Sequence, residues 1–202
     1  MRRLILQMQM SVDGFVSADK TEKQWQVWDW GPTWTWDARL RRDFNTTVQR
    51  ADTILLSRKM AEEGYLDHWA RAAERHHGEP DWAFAARIGE ADKVVVTGKL
   101  GAARWPRTRI ATGPLAEEVT ALKRRDGGDI LCFGGTGFAS ALVENRLVDE
   151  LQLYVNPAAV GSGETIFDSA TGGLLLDRLG SQAYDCGIVV NRYRPRNHPG
   201  SR

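Results

Sequence analysis

Cysteine is nearly absent: the chain of 202 residues has only Cys132 and Cys186. Two thiols make no disulfide framework, and their spacing makes no metal site. Both sit in apolar, strand-like runs, which points to buried, inert side chains. An excess of one charge is missing too. Lys and Arg total 27 against 26 Asp and Glu, a formal net charge of +1. That balance argues against a general nucleic-acid binder, which needs a basic footprint. No apolar run approaches the roughly 20 residues of a membrane span. The first segment turns polar after residue 6, so it lacks the core of a signal peptide. A cytoplasmic protein with no membrane and no nucleic-acid partner is the expectation. No linker or composition break divides the chain, so one domain is expected over residues 1–195. The basic end, 192–202, reads as a frayed polar tail, disordered over 196–202.

What is present is a regular alternation of short strands and helices. Leu4, Leu6, Met8 and Met10 share one face of a first strand, with Gln7, Gln9 and Ser11 opposite. The Val-Asp-Gly-Phe run at 12–15 closes it with a turn signal. Short strands follow at 53–57, 93–97, 109–112 and 130–133. The β-branched run Val94-Val95-Val96 suits a central strand. Residues 150–156 alternate again, and 174–179 and 188–193 supply the last strands. Helical spacing marks 37–51, with Leu40, Phe44, Val48 and Ala51 on one face and Asp37 as N-cap. Further helices are expected at 60–75 (broken near Gly64), at 81–91, from Pro114 onward, and at 138–146. Strands alternating with helices predict an α/β fold: a mixed, mainly parallel central sheet, flanking helices and antiparallel C-terminal strands.

The most informative stretch is Ile130-Leu-Cys-Phe-Gly-Gly-Thr-Gly-Phe-Ala-Ser-Ala-Leu142. An apolar run stops at two glycines and a Thr-Gly, then restarts with helical spacing. A turn without side chains lets phosphates approach the backbone, and a helix N-terminus aims N–H groups at them. Gly-rich strand-to-helix turns are common, however, and this one lacks the Gly-x-Gly-x-x-Gly spacing of a Rossmann fingerprint. His68, His76, His77 and Glu74 show no metal-ligand spacing and read as a solvated helix end.

Three more segments line up with that turn: Met10-Ser-Val-Asp-Gly-Phe-Val16, Ile54-Leu-Leu-Ser-Arg-Lys-Met60, and Leu147-Val-Asp-Glu-Leu with Asn156-Pro157 and Val160-Gly-Ser-Gly-Glu-Thr-Ile-Phe167. In this order the four resemble the dihydrofolate-reductase-like superfamily, in the branch of the C-terminal reductase domain of riboflavin biosynthesis (RibD). The resemblance covers about residues 2–195. It implies the mixed sheet, NADPH as hydride donor, and a homodimer. It implies that Gly134, Gly135, Thr136, Gly137 and Phe138 hold the pyrophosphate, with a cis peptide at Gly134–Gly135. Arg58 and Lys59, after Ser57, match the basic pair that faces the phosphates. The family pattern there is Gly-Arg-Lys-Thr, so Ser57 replaces Gly and Met60 replaces Thr. Thr97, Gly98 and Lys99 match the turn that meets the adenosine 2′-phosphate.

The resemblance places Asp13 beside the nicotinamide and substrate, as a catalytic or substrate-binding carboxylate; by itself it is also a plain Asp-Gly turn. Trp25, Trp28, Trp30, Trp34 and Trp36, five of the eight tryptophans, depart from the family. Trp30 and Trp34 are the candidates to stack a flat substrate; core packing or a dimer contact explains such a cluster equally well. Asp29, Asp37 and Asp43 are nearby acids with ordinary explanations as cap or solvated face. The implied activity is reduction of a ribosylamino-pyrimidine-like small molecule, of the 5-amino-6-(5-phosphoribosylamino)uracil reductase type. The alternatives are a dihydrofolate reductase activity or a non-catalytic dimeric nucleotide-binding protein.

Overall fold

The structure, a computed structural model, describes residues 1–18, 35–168 and 173–196. Trp25, Trp28, Asp29, Trp30 and Trp34 lie outside the described residues. The chain forms two compact units. The first takes residues 1–4 and 37–135; the second takes the described residues of 5–36 and 136–202.

In the first unit, strands β3 (Ala51–Ser57), β4 (Asp92–Val96), β5 (Thr108–Ala111) and β6 (Asp129–Cys132) lie in the order β5-β4-β3-β6, all parallel. Val94 and Val95 are buried in β4, as a β-branched run covered on both faces requires. Helices connect the strands. In α1 (Ala38–Gln49), Leu40, Phe44 and Val48 are buried, and the Asp37 carboxylate accepts from the Leu40 N–H at 2.9 Å. The cap is the expected one. Ala51, expected on the helix, instead opens β3, because the helix stops at Arg50.

The break foreseen near Gly64 is real. It separates α2 (Arg58–Glu62) from α3 (Tyr65–Arg75), and Gly64 takes φ +93°, a left-handed conformation that glycine adopts without strain. A 3₁₀ turn precedes α4 (Ala83–Glu90), and α5 (Leu115–Lys123) follows Pro114. Phe44, Trp69 and Phe84 build the aromatic core. Phe84 meets Phe44 edge-on at 5.1 Å and Trp69 at 5.0 Å.

The second unit contains β1 (Leu4–Met10, all but its first residue), β7 (Glu150–Val155), β10 (Val189–Pro195) and β9 (Leu176–Ala183), in the order β1-β7-β10-β9. β1 and β7 are parallel; β10 is antiparallel to both of its neighbours. The antiparallel C-terminal strands are therefore present, though the first runs later than the expected 174–179. The basic end is ordered further than expected. Arg192–Pro195 belong to β10, the Arg196 N–H donates to Leu175 O at 2.8 Å, and its guanidinium pairs with Asp177. α6 (Thr136–Glu144) buries Ala139, Leu142 and Val143, starting two residues before the expected Phe138. A two-residue ladder, β2 (Ser17–Ala18) with β8 (Gly163–Glu164), has no counterpart in the sequence reading. Among the described residues, no helix is long and apolar enough to cross a membrane.

Candidate functional site

The Gly turn follows β6. Gly134 and Gly135 have φ +115° and +47°. Two successive left-handed residues reverse the chain between the strand and α6. The cis peptide expected here is absent; no described residue has one. Positive φ at both glycines makes the turn instead. A Cβ on Gly135 would stand 2.9 Å from the Ser57 Oγ, so the turn is sealed from below by that hydroxyl. A Cβ on Gly137 would meet nothing within 4 Å. A side chain at Gly135 would thus require the Ser57 hydroxyl to shift, whereas Gly137 faces open space.

Ser57, where the resemblance sets a Gly, has a structural part of its own. It is the N-cap of α2: its Oγ accepts from the Met60 N–H at 3.1 Å. Arg58 and Lys59 open that helix. Arg58 pairs with Glu62, and Lys59 lies 3.7 Å from Glu63, both at i,i+4 spacing. Exposed pairs of this kind hold their partners by roughly 0.2–1 kcal/mol, so either cation is easily recruited by a stronger anion. After β4, the Lys99 N–H donates to the Thr97 Oγ1 at 3.0 Å, which fixes the turn; the Gly98 and Lys99 positions are exposed.

Burial pushes the Cys132 thiol, next to the turn, up to about 12, so it stays protonated and unreactive. Among the described residues, no cluster of His, Cys, Asp and Glu can hold a metal.

Asp13 belongs to the second unit. Its carboxylate accepts from the Gly161 N–H at 2.7 Å and the Val160 N–H at 3.1 Å. The Ser11 hydroxyl and these amides hold its pKa below the ordinary carboxylate value. The Val12 N–H donates to Ala158 O, the Val16 N–H donates to Glu164 O, and Ser17–Ala18 pairs with Gly163–Glu164. Two of the sequence motifs, Ser-Val-Asp-Gly-Phe-Val and Val-Gly-Ser-Gly-Glu, are therefore one structural piece, zipped together across about 147 residues of chain. Sequence reasoning found each motif but not their pairing, since no local signal encodes it.

The latch has a consequence for pH. A folded-state pKa below the unfolded one stabilises above the unfolded value, and that contribution is lost as pH falls through the folded value. The Asp13 carboxylate therefore stays ionised and holds the loop throughout the neutral range. In Asp13→Ala, amide hydrogen exchange at Val160 and Gly161 should quicken roughly tenfold, the scale of a lost charge-assisted hydrogen bond. Unchanged exchange at those two amides would contradict the latch.

Trp36 is the one tryptophan of the 25–36 cluster within the described residues. It is buried and stacks on Tyr154, with centroids 5.3 Å apart and planes at 7°. Asp43 sits on the exposed side of α1.

The model of the RibD C-terminal domain matches residues 2–190. The uncharacterized protein YyaP of Bacillus subtilis (strain 168) is 24% identical over 201 residues, covering 93% of this chain and 92% of that protein. Acinetobacter baumannii RibD (form 1) superposes with a TM-score of 0.67 at 16% identity, over 98% of this chain and 59% of that one. A Thermotoga maritima diaminohydroxyphosphoribosylaminopyrimidine deaminase/5-amino-6-(5-phosphoribosylamino)uracil reductase gives 0.63 at 15% identity, over 96% of this chain and 57% of that one. The solved structures establish the dihydrofolate-reductase-like α/β fold, mainly parallel with antiparallel C-terminal strands. With its family model spanning nearly the whole length, the chain belongs to the RibD C-terminal domain family.

Proposed function

We propose that the chain is an NADPH-dependent reductase acting on a flat, polar heterocycle of the ribosylamino-pyrimidine type. The observation that carries this reading is the Gly134–Gly135 turn. It is a turn of bare backbone in which a Cβ on Gly135 would stand 2.9 Å from the Ser57 Oγ, in a chain of the RibD C-terminal domain family. The residues present fit a dinucleotide. The backbone of Gly134, Gly135, Thr136, Gly137 and Phe138 holds the pyrophosphate, aided by the positive end of α6. Ser57, Arg58 and Lys59 supply a hydroxyl and two cations for the phosphates. Thr97, Gly98 and Lys99 form a fixed turn with a point charge for a 2′-phosphate. The cofactor, when bound, supplies the hydride.

The protein's own contribution is mainly positioning. Asp13, held ionised by its latch, keeps the loop of 11–16 in place and presents a negative charge to a cationic or N–H-bearing acceptor; it is not the proton donor at neutral pH. Residues 1–195 act as one functional domain, in a cytoplasmic homodimer with a small-molecule substrate and neither nucleic-acid nor membrane partner. Trp30 and Trp34 remain candidates for the substrate wall.

One observation favours a second reading, a nucleotide-binding protein without turnover: Met60 stands where the family has a phosphate-binding Thr. Charge removal tests the cofactor assignment. Lys99→Ala should weaken NADPH about tenfold, the value of one charge-assisted contact, and change NADH less than about twofold, whereas Arg58→Ala, which acts on the shared phosphates, should weaken both about equally. Equal losses for both dinucleotides in Lys99→Ala would remove Lys99 from a 2′-phosphate site. Oxidation of NADPH by an acceptor panel then separates reductase from binder.

A further inference from the structure

The two cations at the start of α2 are each tied to a carboxylate that the phosphate site does not use. Arg58 pairs with Glu62 and Lys59 with Glu63, in both cases four residues further along. Among the described residues, neither carboxylate has a second ion-pair partner. Four residues of α-helix advance about 6 Å along the axis. An i,i+4 pair therefore draws the cation of residue i toward the C-terminal end of its helix. Ser57, whose Oγ lies 2.9 Å from where a Gly135 Cβ would stand, caps the other end. In the free chain both cations are thus drawn away from the turn whose backbone would meet phosphates.

Not every ion pair of the first unit could open this way. The Arg2 side chain is 6% exposed, so parting it from Asp52 would strand a buried charge. At the Arg58–Glu62 pair the side chains are 39% and 41% exposed, and at Lys59–Glu63 they are 69% and 63%. A carboxylate released there returns to water, so opening costs no more than a solvent-screened pair is worth. A diphosphate offers Arg58 a denser negative charge and, through two oxygens, a bidentate match to the guanidinium fork. Exchange of the carboxylate for the diphosphate is therefore downhill, and the carboxylate is the anion it must displace.

We propose that Glu62 is an internal counter-ion that competes with a ligand's diphosphate for Arg58 and so sets the affinity of the site. Glu63 acts likewise, and more weakly, on Lys59. Glu62 is then a positioning residue: it touches no ligand and works through Arg58. This role rests on the dinucleotide reading of the turn and deepens it by naming what regulates the site. The sign of the effect separates it from a purely structural pair. Breaking a pair that only supports α2 loosens the helix and weakens binding; removing a competitor strengthens it.

The probes are inorganic pyrophosphate, NADPH and NADH, titrated by calorimetry into the full chain, Glu62→Gln, Arg58→Ala and the double variant, with thermal melting to read the fold. Gln keeps the length and helix preference of Glu without its charge. Glu62→Gln is expected to bind each probe about threefold more tightly, the scale of one exposed pair. NADPH and NADH gain equally, because they share the diphosphate. Glu63→Gln should gain less than about twofold. The Glu62→Gln gain should vanish in the Arg58→Ala background, and shrink as added salt screens the exposed pair. Unchanged or weaker binding in folded Glu62→Gln, a gain that survives Arg58→Ala, or no binding of any probe would overturn the counter-ion. Pyrophosphate separates that failure from failure of the reductase reading. The full pattern with pyrophosphate, but neither dinucleotide bound, sinks the reductase reading alone; dinucleotides bound equally by wild type and Glu62→Gln sink the counter-ion alone.

Discussion

Gly135→Val is expected to reduce NADPH affinity by more than about 100-fold while leaving the chain folded. Two effects act together. A β-branched residue at φ +47° is strained, by about 1–3 kcal/mol, and its Cβ would stand 2.9 Å from the Ser57 Oγ. A typical domain has about 5–15 kcal/mol of stability, so the variant remains folded. Its side chain, built toward Ser57, forces the turn and the α2 N-cap beneath it to shift, which displaces the backbone N–H groups that would meet the phosphates. Titration calorimetry reads the affinity and thermal melting reads the fold; unchanged affinity in folded Gly135→Val would take the turn out of the site.

The contact with Ser57 makes a sharper version available. Ser57→Gly removes the hydroxyl and costs only a few tenths of a kcal/mol at a helix N-cap. It should therefore relieve part of the destabilisation of Gly135→Ala. A double-mutant cycle on melting is expected to show positive coupling between the two positions. Additive effects would mean that the hydroxyl does not seal the turn.

The second large effect is structural and lies at the opposite end of β3 from Ser57. The Asp52 carboxylate accepts from the Gly128 N–H at 2.6 Å and from the Thr53 hydroxyl at 2.8 Å, and it pairs with Arg2. Partial burial alone would raise its pKa. The Gly128 amide, the Thr53 hydroxyl and Arg2 outweigh that, so the net shift is downward. The Arg2 side chain is only 6% exposed. Removing its counter-charge leaves a buried cation, the costly way to break such a pair. Asp52→Ala should destabilise the fold by about 2–4 kcal/mol, whereas Asp52→Asn, which keeps an acceptor, should cost less. Chemical denaturation measures both. A loss under about 0.5 kcal/mol in Asp52→Ala would show that the network is not holding the edge of the first unit together.

How much of this was legible in the sequence depends on how local each signal is. The alternation of Leu4, Leu6, Met8 and Met10 announced β1, and the run Val94-Val95-Val96 announced a strand covered on both faces. Gly64 broke the helix where its missing side chain suggested. Local periodicity could not decide Ala51, which satisfies a helical face as well as a strand start; the pairing of β3 with β6 decides it. Nor could it find the ladder of Ser17–Ala18 with Gly163–Glu164, which exists only because distant segments meet. The site divides in the same way. The Gly turn and the basic pair were visible as motifs. Ser57 read as a loss of backbone freedom, yet in space it caps α2 and closes the floor under Gly135. Asp13 read as a carboxylate on a turn, and its partners Val160 and Gly161 were invisible without the fold. Gln7 and Gln9 were present in the alternating pattern as the polar side of β1. Gln7 is nonetheless buried, which one strand alone cannot reveal.

The most direct test of the central claim is titration of the purified chain with NADPH and with NADH by calorimetry. The account predicts saturable binding of NADPH, with NADH bound at least about tenfold more weakly, because Lys99 answers the extra phosphate. Folded protein that binds neither dinucleotide would contradict it.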